Sequence, residues 1–361
     1  MHPYHNLPPA AYWRSAVAEV NPLEMTSLYR PRFELTRNMK IATAGSCFAQ
    51  HIGRTFKTRG YNVLDVESAP AFLQEEDHVR FGFGMYSARF GNIYTIRHLV
   101  QLFKRASGDF KPDEQLWKTN GRYYDPFRPS VEPSGFATPE EAFKDIAYHL
   151  AQVNKLLGQT DVFVFTFGLT EGWLVQSDGA ALPTCPGTIA GDFDPTRYIF
   201  KNFNYESVLA DAIEFIEMAR EIRNHMRFLV TVSPVPLPAT ASGHHVLPAT
   251  VYSKSVLRAV CGALVEKYDY VDYFPSFEII SSHPMRGMFY KENMRKVTPQ
   301  GVEHVMNCFF RAHGHAEFSP IPSTSKAQNA QFEPVEVDEY ELACDELMLE
   351  QYARNGPTNA D

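Results

Sequence analysis

The chain has 361 residues, enough for one large α/β domain with insertions, and 44% of them are hydrophobic, including 27 Phe and 18 Tyr, which excludes a disordered polar chain. Its 34 basic and 42 acidic residues give a net charge of −8 with no long Lys/Arg run, which argues against nucleic acid as a partner. Five cysteines without CxxC spacing indicate neither a disulfide framework nor a zinc ribbon, and read as reduced thiols.

Residues 1–38, rich in Pro and aromatics, read as an arm packed on the domain that follows. The start lacks a basic segment followed by an apolar one, and no apolar run reaches the roughly 18 residues needed to cross a bilayer. The expectation is a cytoplasmic protein with no membrane span. From residue 39 to 316 the pattern is that of one α/β domain. "MKIATAG" (39–45) reads as a buried strand, and "SCFAQHIGRTFKTRG" places Phe48, Ile52 and Phe56 on one helical face before a stop at Gly60.

Continuous apolar runs recur at 61–66, 161–169, 227–235 and 270–280, as strands buried on both faces should. Helical patterns separate them at 94–106, 138–158, 204–224, 250–268 and 298–313. Alternating strands and helices predict a parallel sheet with helices on both faces and ligands at the carboxyl ends of the strands. Two long connections, 107–137 and 170–203, lack periodicity and are candidate walls of a site. Within the second, "TCPGTIAGDFDP" (184–195) offers a substrate wall, with Arg197 or Lys201 for a charged group, although turn chemistry explains the same residues. Residues 317–361 read as a linker and an acidic tail, either a solvated segment or an arm for a basic protein partner.

Ser46 follows the first strand and opens the helix, where backbone N–H groups and the helix dipole favour negative charge. On spacing alone it is an N-cap or a nucleophile. Cys47 is the rival nucleophile, since a thiol in a first helical turn has its pKa lowered, or it packs beneath the sheet. No HExxH or comparable spacing suggests a metal, and no cofactor is expected.

"GSCFAQHIGRTFKTRGYNV" resembles the defining motif of the GSCFA family, a branch related to the SGNH/GDSL-like hydrolases. Further matches in the same order are "RFGNIYTIRHLVQLF" (89–103), "FTFGLTEGW" (165–173), "TVSPVPLPATAS" (231–242), "YSKSVLR" (252–258) and "YFPSFEII" (273–280). The resemblance implies a three-layer α/β/α sandwich with a flavodoxin-like parallel sheet, and a serine nucleophile that maps onto Ser46. It implies an oxyanion hole of the Ser46 amide, Gly91 with Asn92, and Gly168, Thr170 and Glu171. Thr170 stands where related hydrolases place Asn, but a hydroxyl also donates one hydrogen bond.

Such relatives close the triad with Asp-x-x-His, and in "FYKENMRKVTPQGVEHVM" (289–306) Asn293 and Lys296 fall at those positions. Three alternatives follow. His283, in the loop after the last strand, supplies the imidazole; Lys254 or Lys296 acts in a Ser–Lys arrangement; or turnover is lost and the chain only binds. His51, His244, His245 and His304 are placed less suitably. The expectation is a serine-dependent O-acyl esterase or acyltransferase using Ser46 and His283. A small-molecule or carbohydrate ester is the substrate class implied by the resemblance. The alternative is a catalytically impaired binding or assembly module.

Overall fold

A computed structural model describes residues 2–25 and 27–314, with residue 349 alone beyond them, so the expected linker and acidic tail lie outside the described residues apart from that position. The central sheet is parallel and built from β1 (Ile41–Gly45), β4 (Val162–Phe167), β8 (Arg227–Val232) and β9 (Val271–Tyr273), in the order β1-β4-β8-β9. A single parallel bridge joins Val63 to Ile41 on the free side of β1. The full spatial order is then second, first, third, fourth, fifth, the doubly wound arrangement whose crevice opens where the connections leave β1 and β4 in opposite directions.

Alternation along the strands sorts the core into two layers. Val162 and Val164 of β4 join Ile41 and Leu229 in a cluster with α1 (Phe48–Thr58), α6 (Ser276–Ser281) and α7 (Pro299–Ala312). Phe163, Phe165 and Phe167 face the other way, into a cluster with α2 (Ile96–Ser107), α3 (Pro139–Gln159), α4 (Tyr205–Ile222) and α5 (Val246–Lys267). The expected Phe48, Ile52 and Phe56 stripe is buried as one face of α1. Fold class is therefore the expected three-layer α/β/α sandwich.

Three expectations change. The 61–66 run contributes one bridge rather than a strand. The 270–280 run divides, because Pro275 has no N–H for a ladder and instead precedes α6, whose Ile279 and Ile280 are buried. The two long connections hold small sheets of their own: a hairpin of β2 (Trp117–Thr119) with β3 (Arg122–Tyr124), and an antiparallel sheet in the order β6-β5-β7 from β5 (Glu171–Val175), β6 (Ala181–Leu182) and β7 (Tyr198–Asn202).

The arm is tied to the sheet edge. Met25, Tyr29 and Leu35 belong to the α1/α7 core cluster. Asp272 of β9 accepts hydrogen bonds from the Tyr29 hydroxyl at 2.8 Å and the Arg32 backbone N–H at 2.9 Å. No helix among the described residues is long and apolar enough to cross a membrane.

Candidate active site

Gly45 ends β1 with φ +138°, and a Cβ there would lie 2.5 Å from the Thr166 carbonyl oxygen, so only glycine lets β1 and β4 converge at this point. Ser46 comes next. Its N–H donates to the Thr166 carbonyl at 3.3 Å, and its carbonyl accepts from the Ala49 N–H at 2.8 Å and from the Tyr86 hydroxyl at 3.1 Å. The side chain does something else. Ser46 is 3% exposed, and its Oγ has no hydrogen-bond partner. It is not the helix cap: that position belongs to Cys47, which makes no side-chain cap bond and packs in the α1/α7 core. The Ser46 amide, expected to hold an oxyanion, is used by β4 instead.

The segment after Gly91 lies across the ends of β1 and β4. Gly91 adopts φ +67°. Ile93 then donates its N–H to the Gly45 carbonyl, and Tyr94 accepts from the Leu169 N–H, each at 2.9 Å. Thr95 caps α2 by accepting from the His98 N–H. Gly168 is pressed into the same junction, where an added Cβ would be 3.0 Å from both the Ser46 Cβ and the Tyr94 carbonyl oxygen. Asn92, 2% exposed, turns its Oδ1 toward two donors: the Tyr86 hydroxyl at 2.7 Å and Gln50 Nε2 at 3.4 Å.

From the opposite side α5 grips the strand exit. Ser253 Oγ accepts the Thr170 N–H at 3.0 Å, and Lys254 Nζ donates to the Gly168 carbonyl at 2.7 Å. Both side chains are buried. Thr170 is fully buried, and its Oγ1 has no hydrogen-bond partner. Glu171 opens β5 and accepts from the Thr240 hydroxyl at 2.7 Å, which ties the Pro-rich 234–245 loop to the site. Burial raises the Glu171 carboxyl above its usual range, against the Thr240 and Ala241 hydrogen bonds. An apolar cluster of Tyr94, Leu169, Leu237 and Ala249 covers this side of the junction.

The structure therefore brings together Ser46, Asn92, Gly168, Thr170 and Lys254, with Gly91 and Glu171 at the two margins. It does not bring His283 to them. That histidine is exposed on a short 3-10 turn (His283–Met285), its ring stacked on Trp13 of the arm at 5.3 Å. Asn293 is exposed, and its Oδ1 accepts the backbone N–H groups of Arg295 at 3.1 Å and Lys296 at 2.9 Å, a local turn rather than half of an acid–imidazole pair. In the 184–195 segment, the Gly191 N–H bonds Thr119 Oγ1, while Arg197 is held by Glu114 at 2.6 Å.

Tyr86, Gln50 and Ser253 were not singled out from the sequence. Ser253 did leave a signal, since it interrupts the buried α5 stripe of Ala249, Val256, Leu257 and Val260 with a hydroxyl. Behind the Gly91 turn lies a buried ionic cluster that had none. Arg128 binds Asp125 at 2.7 Å and also Asp145, Arg89 binds Asp145 at 2.9 Å, and Glu67 accepts from the Arg89 N–H at 2.7 Å and from His149 Nδ1 at 2.6 Å. Arg128 also reaches the Arg89 carbonyl, so the cluster anchors the segment that carries Asn92.

Compared with known proteins, the chain matches no curated sequence. The profile of the GSCFA family matches residues 40–309, a span that begins at the entry to β1, ends within α7 and includes every residue brought to the junction. The chain belongs to the GSCFA family.

Proposed function

We propose that this protein is a serine-dependent O-acyl esterase or acyltransferase, with Ser46 as nucleophile and a carbohydrate-type ester as substrate class. One observation carries the reading. The Ser46 hydroxyl is buried at the carboxyl end of the first strand and bonds nothing, and it does not cap α1, whose cap position is Cys47. Buried polar atoms are nearly always paired, and an orphan in a crevice of this sheet type calls for a role.

In the proposed step, the Ser46 oxygen bonds to the acyl carbon while the carbonyl π pair moves to oxygen. The hydroxyl proton passes to Lys254 in its neutral amine form, whose Nζ is held at the Gly168 carbonyl beside Ser46, and is returned to the departing alkoxide. Water or an acceptor alcohol then attacks the acyl-serine and releases the acid or the transferred ester. Lys254 replaces His283 in this role because His283 is engaged with Trp13. For an ester to reach the hydroxyl, the cover of Tyr94, Leu169 and Leu237 has to part.

A second reading, a binding or assembly module, is favoured by that same closure and by the turn that occupies the Asp-x-x-His positions. Covalent labelling by a fluorophosphonate, located by peptide mass, separates the two. The enzyme reading expects modification at Ser46, lost in Ser46→Ala, retained in Cys47→Ala, and slowed about 10²–10⁴-fold in Lys254→Met. An unmodified wild-type chain would leave the binding module.

A further inference from the structure

We infer that the chain docks its own acidic segment, residues 332–350, on a basic and apolar surface formed by residues 283–296 and by Trp13 of the arm. That segment lies outside the described residues apart from Leu349. It holds eight acidic side chains and no Lys or Arg, with Phe332, Val337, Tyr340, Leu342, Leu347 and Met348 among them. A surface that takes an acidic, apolar peptide offers cations and apolar area together. The inference stands whether or not Ser46 is a nucleophile.

Residues 283–296 offer both. Arg286, Lys291, Arg295 and Lys296 outweigh Glu292 by three charges, in a chain whose net charge is −8. Trp13, Met288 and Met294 are 60%, 44% and 61% exposed. Trp13 is held here by its stacking on His283, and the Met294 methyl lies 2.9 Å from where a Cβ on Gly287 would be. Exposed methionines adapt to apolar side chains of varied shape. The other basic stretch, residues 54–59 of α1, lacks this combination, because Phe56, its one large apolar side chain, is fully buried. The surface is also preformed. An antiparallel bridge joins Tyr290 to Val297, the Lys291 N–H donates to the Lys296 carbonyl at 2.7 Å, and Asn293 Oδ1 closes the turn between them. Little order has to be gained on this side when a peptide binds.

The tether reaches. α7 has 14 residues, about 21 Å of helix, and leads the chain away from this surface to Gly314. The stretch from 315 to 331 spans up to about 60 Å when extended, which covers the way back. A tethered segment acts at an effective concentration in the millimolar range, so contacts too weak to hold a free peptide suffice. Surface ion pairs contribute little singly and are screened by salt, and the apolar contacts on Trp13, Met288 and Met294 supply the rest. The docked segment adjoins the cover of the Ser46 junction: Tyr290 donates to the Pro234 carbonyl at 2.8 Å and Arg295 Nε to the Pro236 carbonyl at 3.1 Å, which supports the loop that carries Leu237.

Zero-length carbodiimide cross-linking of the full chain, mapped by peptide mass, tests the docking. At low salt and low protein concentration, amide bonds are expected between the Lys291 or Lys296 amine and carboxyl groups of residues 332–350. Mixing ¹⁵N-labelled with unlabelled protein should place both ends on the same chain. The yield should fall at least about fivefold when salt is raised to about 0.5 M, where exposed charges are screened. It should fall similarly in Met294→Glu, which sets a carboxylate in place of an exposed apolar tip, with the melting temperature as the control for folding. Absence of these cross-links overturns the inference, as do cross-links that run to Lys40 or Lys57 instead. Cross-links found only between labelled and unlabelled chains overturn it in favour of a second copy as the occupant. A wild-type yield that salt leaves unchanged also overturns it, since the tether alone then accounts for the encounter.

Discussion

Two buried polar regions lie on either side of the Gly91 turn, and they are satisfied in opposite ways. In the ionic cluster, the guanidinium groups of Arg89 and Arg128 are matched by Asp125, Asp145 and Glu132, and Glu67 accepts hydrogen bonds from the Arg89 N–H and the His149 ring. At the end of β1, the Ser46 and Thr170 hydroxyls are as deeply buried and bond nothing. A buried charge is costly unless it is paired, so the close pairing of both guanidinium groups marks a structural clasp. A buried hydroxyl left unpaired costs less, and a fold tolerates it where a ligand will supply the partner. On the proposed reading, the side with the unpaired Ser46 hydroxyl is the one that holds the chemistry.

The largest effect should come from breaking the clasp. Arg128→Met leaves Asp125 as a buried carboxylate without its ion-pair partner and takes one of two arginines from Asp145, and removal of one member of such a network costs about 3–5 kcal/mol. Urea unfolding should show that loss. A cost within experimental error of zero would mean the cluster is not the anchor described here.

Acid should destabilise the protein through its buried histidines. Burial holds the His98 imidazole down to about 3, with the Arg105 charge acting in the same direction. Burial and Arg128 likewise lower His149, against its bond to Glu67. Both are therefore neutral in the folded protein near neutrality, while an unfolded histidine takes up its proton near pH 6.5. Below about 6.5 the unfolded chain holds more protons than the native one, so stability falls as pH drops, by up to about 1.4 kcal/mol per pH unit for each histidine. The loss for His98 continues down to about pH 3. Unfolding at pH 7 and pH 5 measures the slope, and His98→Gln should flatten it. Ser46→Ala should leave it unchanged.

Much of the sandwich was legible because continuous apolar runs and amphipathic stretches are local properties. α2, α3, α4 and α7 fall within a few residues of their expected limits. The sheet of β5, β6 and β7 was not legible: its strands are two to five residues long and are stabilised by pairing across the 170–203 connection rather than by a periodic pattern. In the candidate site, the serine and the segments at its rim could be placed from motif order. The surroundings of His283 could not. His283 looked suitable from its place after the last strand, but its ring direction is decided by Trp13, 270 positions earlier in a segment with no periodicity. The ionic clasp was invisible for the same reason, since Glu67, Arg89, Asp125, Arg128, Asp145 and His149 meet only through tertiary structure.

The smallest change in stability should occur where the change in chemistry is greatest. Replacing Ser46 by alanine removes a buried oxygen that bonds nothing, keeps the backbone bonds to Thr166, Ala49 and Tyr86, and leaves the Cβ against Gly168 in place. Loss of a capping hydroxyl would cost about 1 kcal/mol, and loss of a satisfied buried hydrogen bond a similar amount. Neither is present here, so Ser46→Ala should unfold at the same denaturant concentration as wild type or a slightly higher one, while losing all covalent labelling. Thr231→Val provides the contrast within the same sheet, because that hydroxyl bonds the Phe274 carbonyl at 2.7 Å and the Ser276 hydroxyl at 2.6 Å and should be missed. If Ser46→Ala is destabilised as much as Thr231→Val, then the Ser46 oxygen has a structural partner after all, and the distinction between the paired and unpaired sides of the turn is lost.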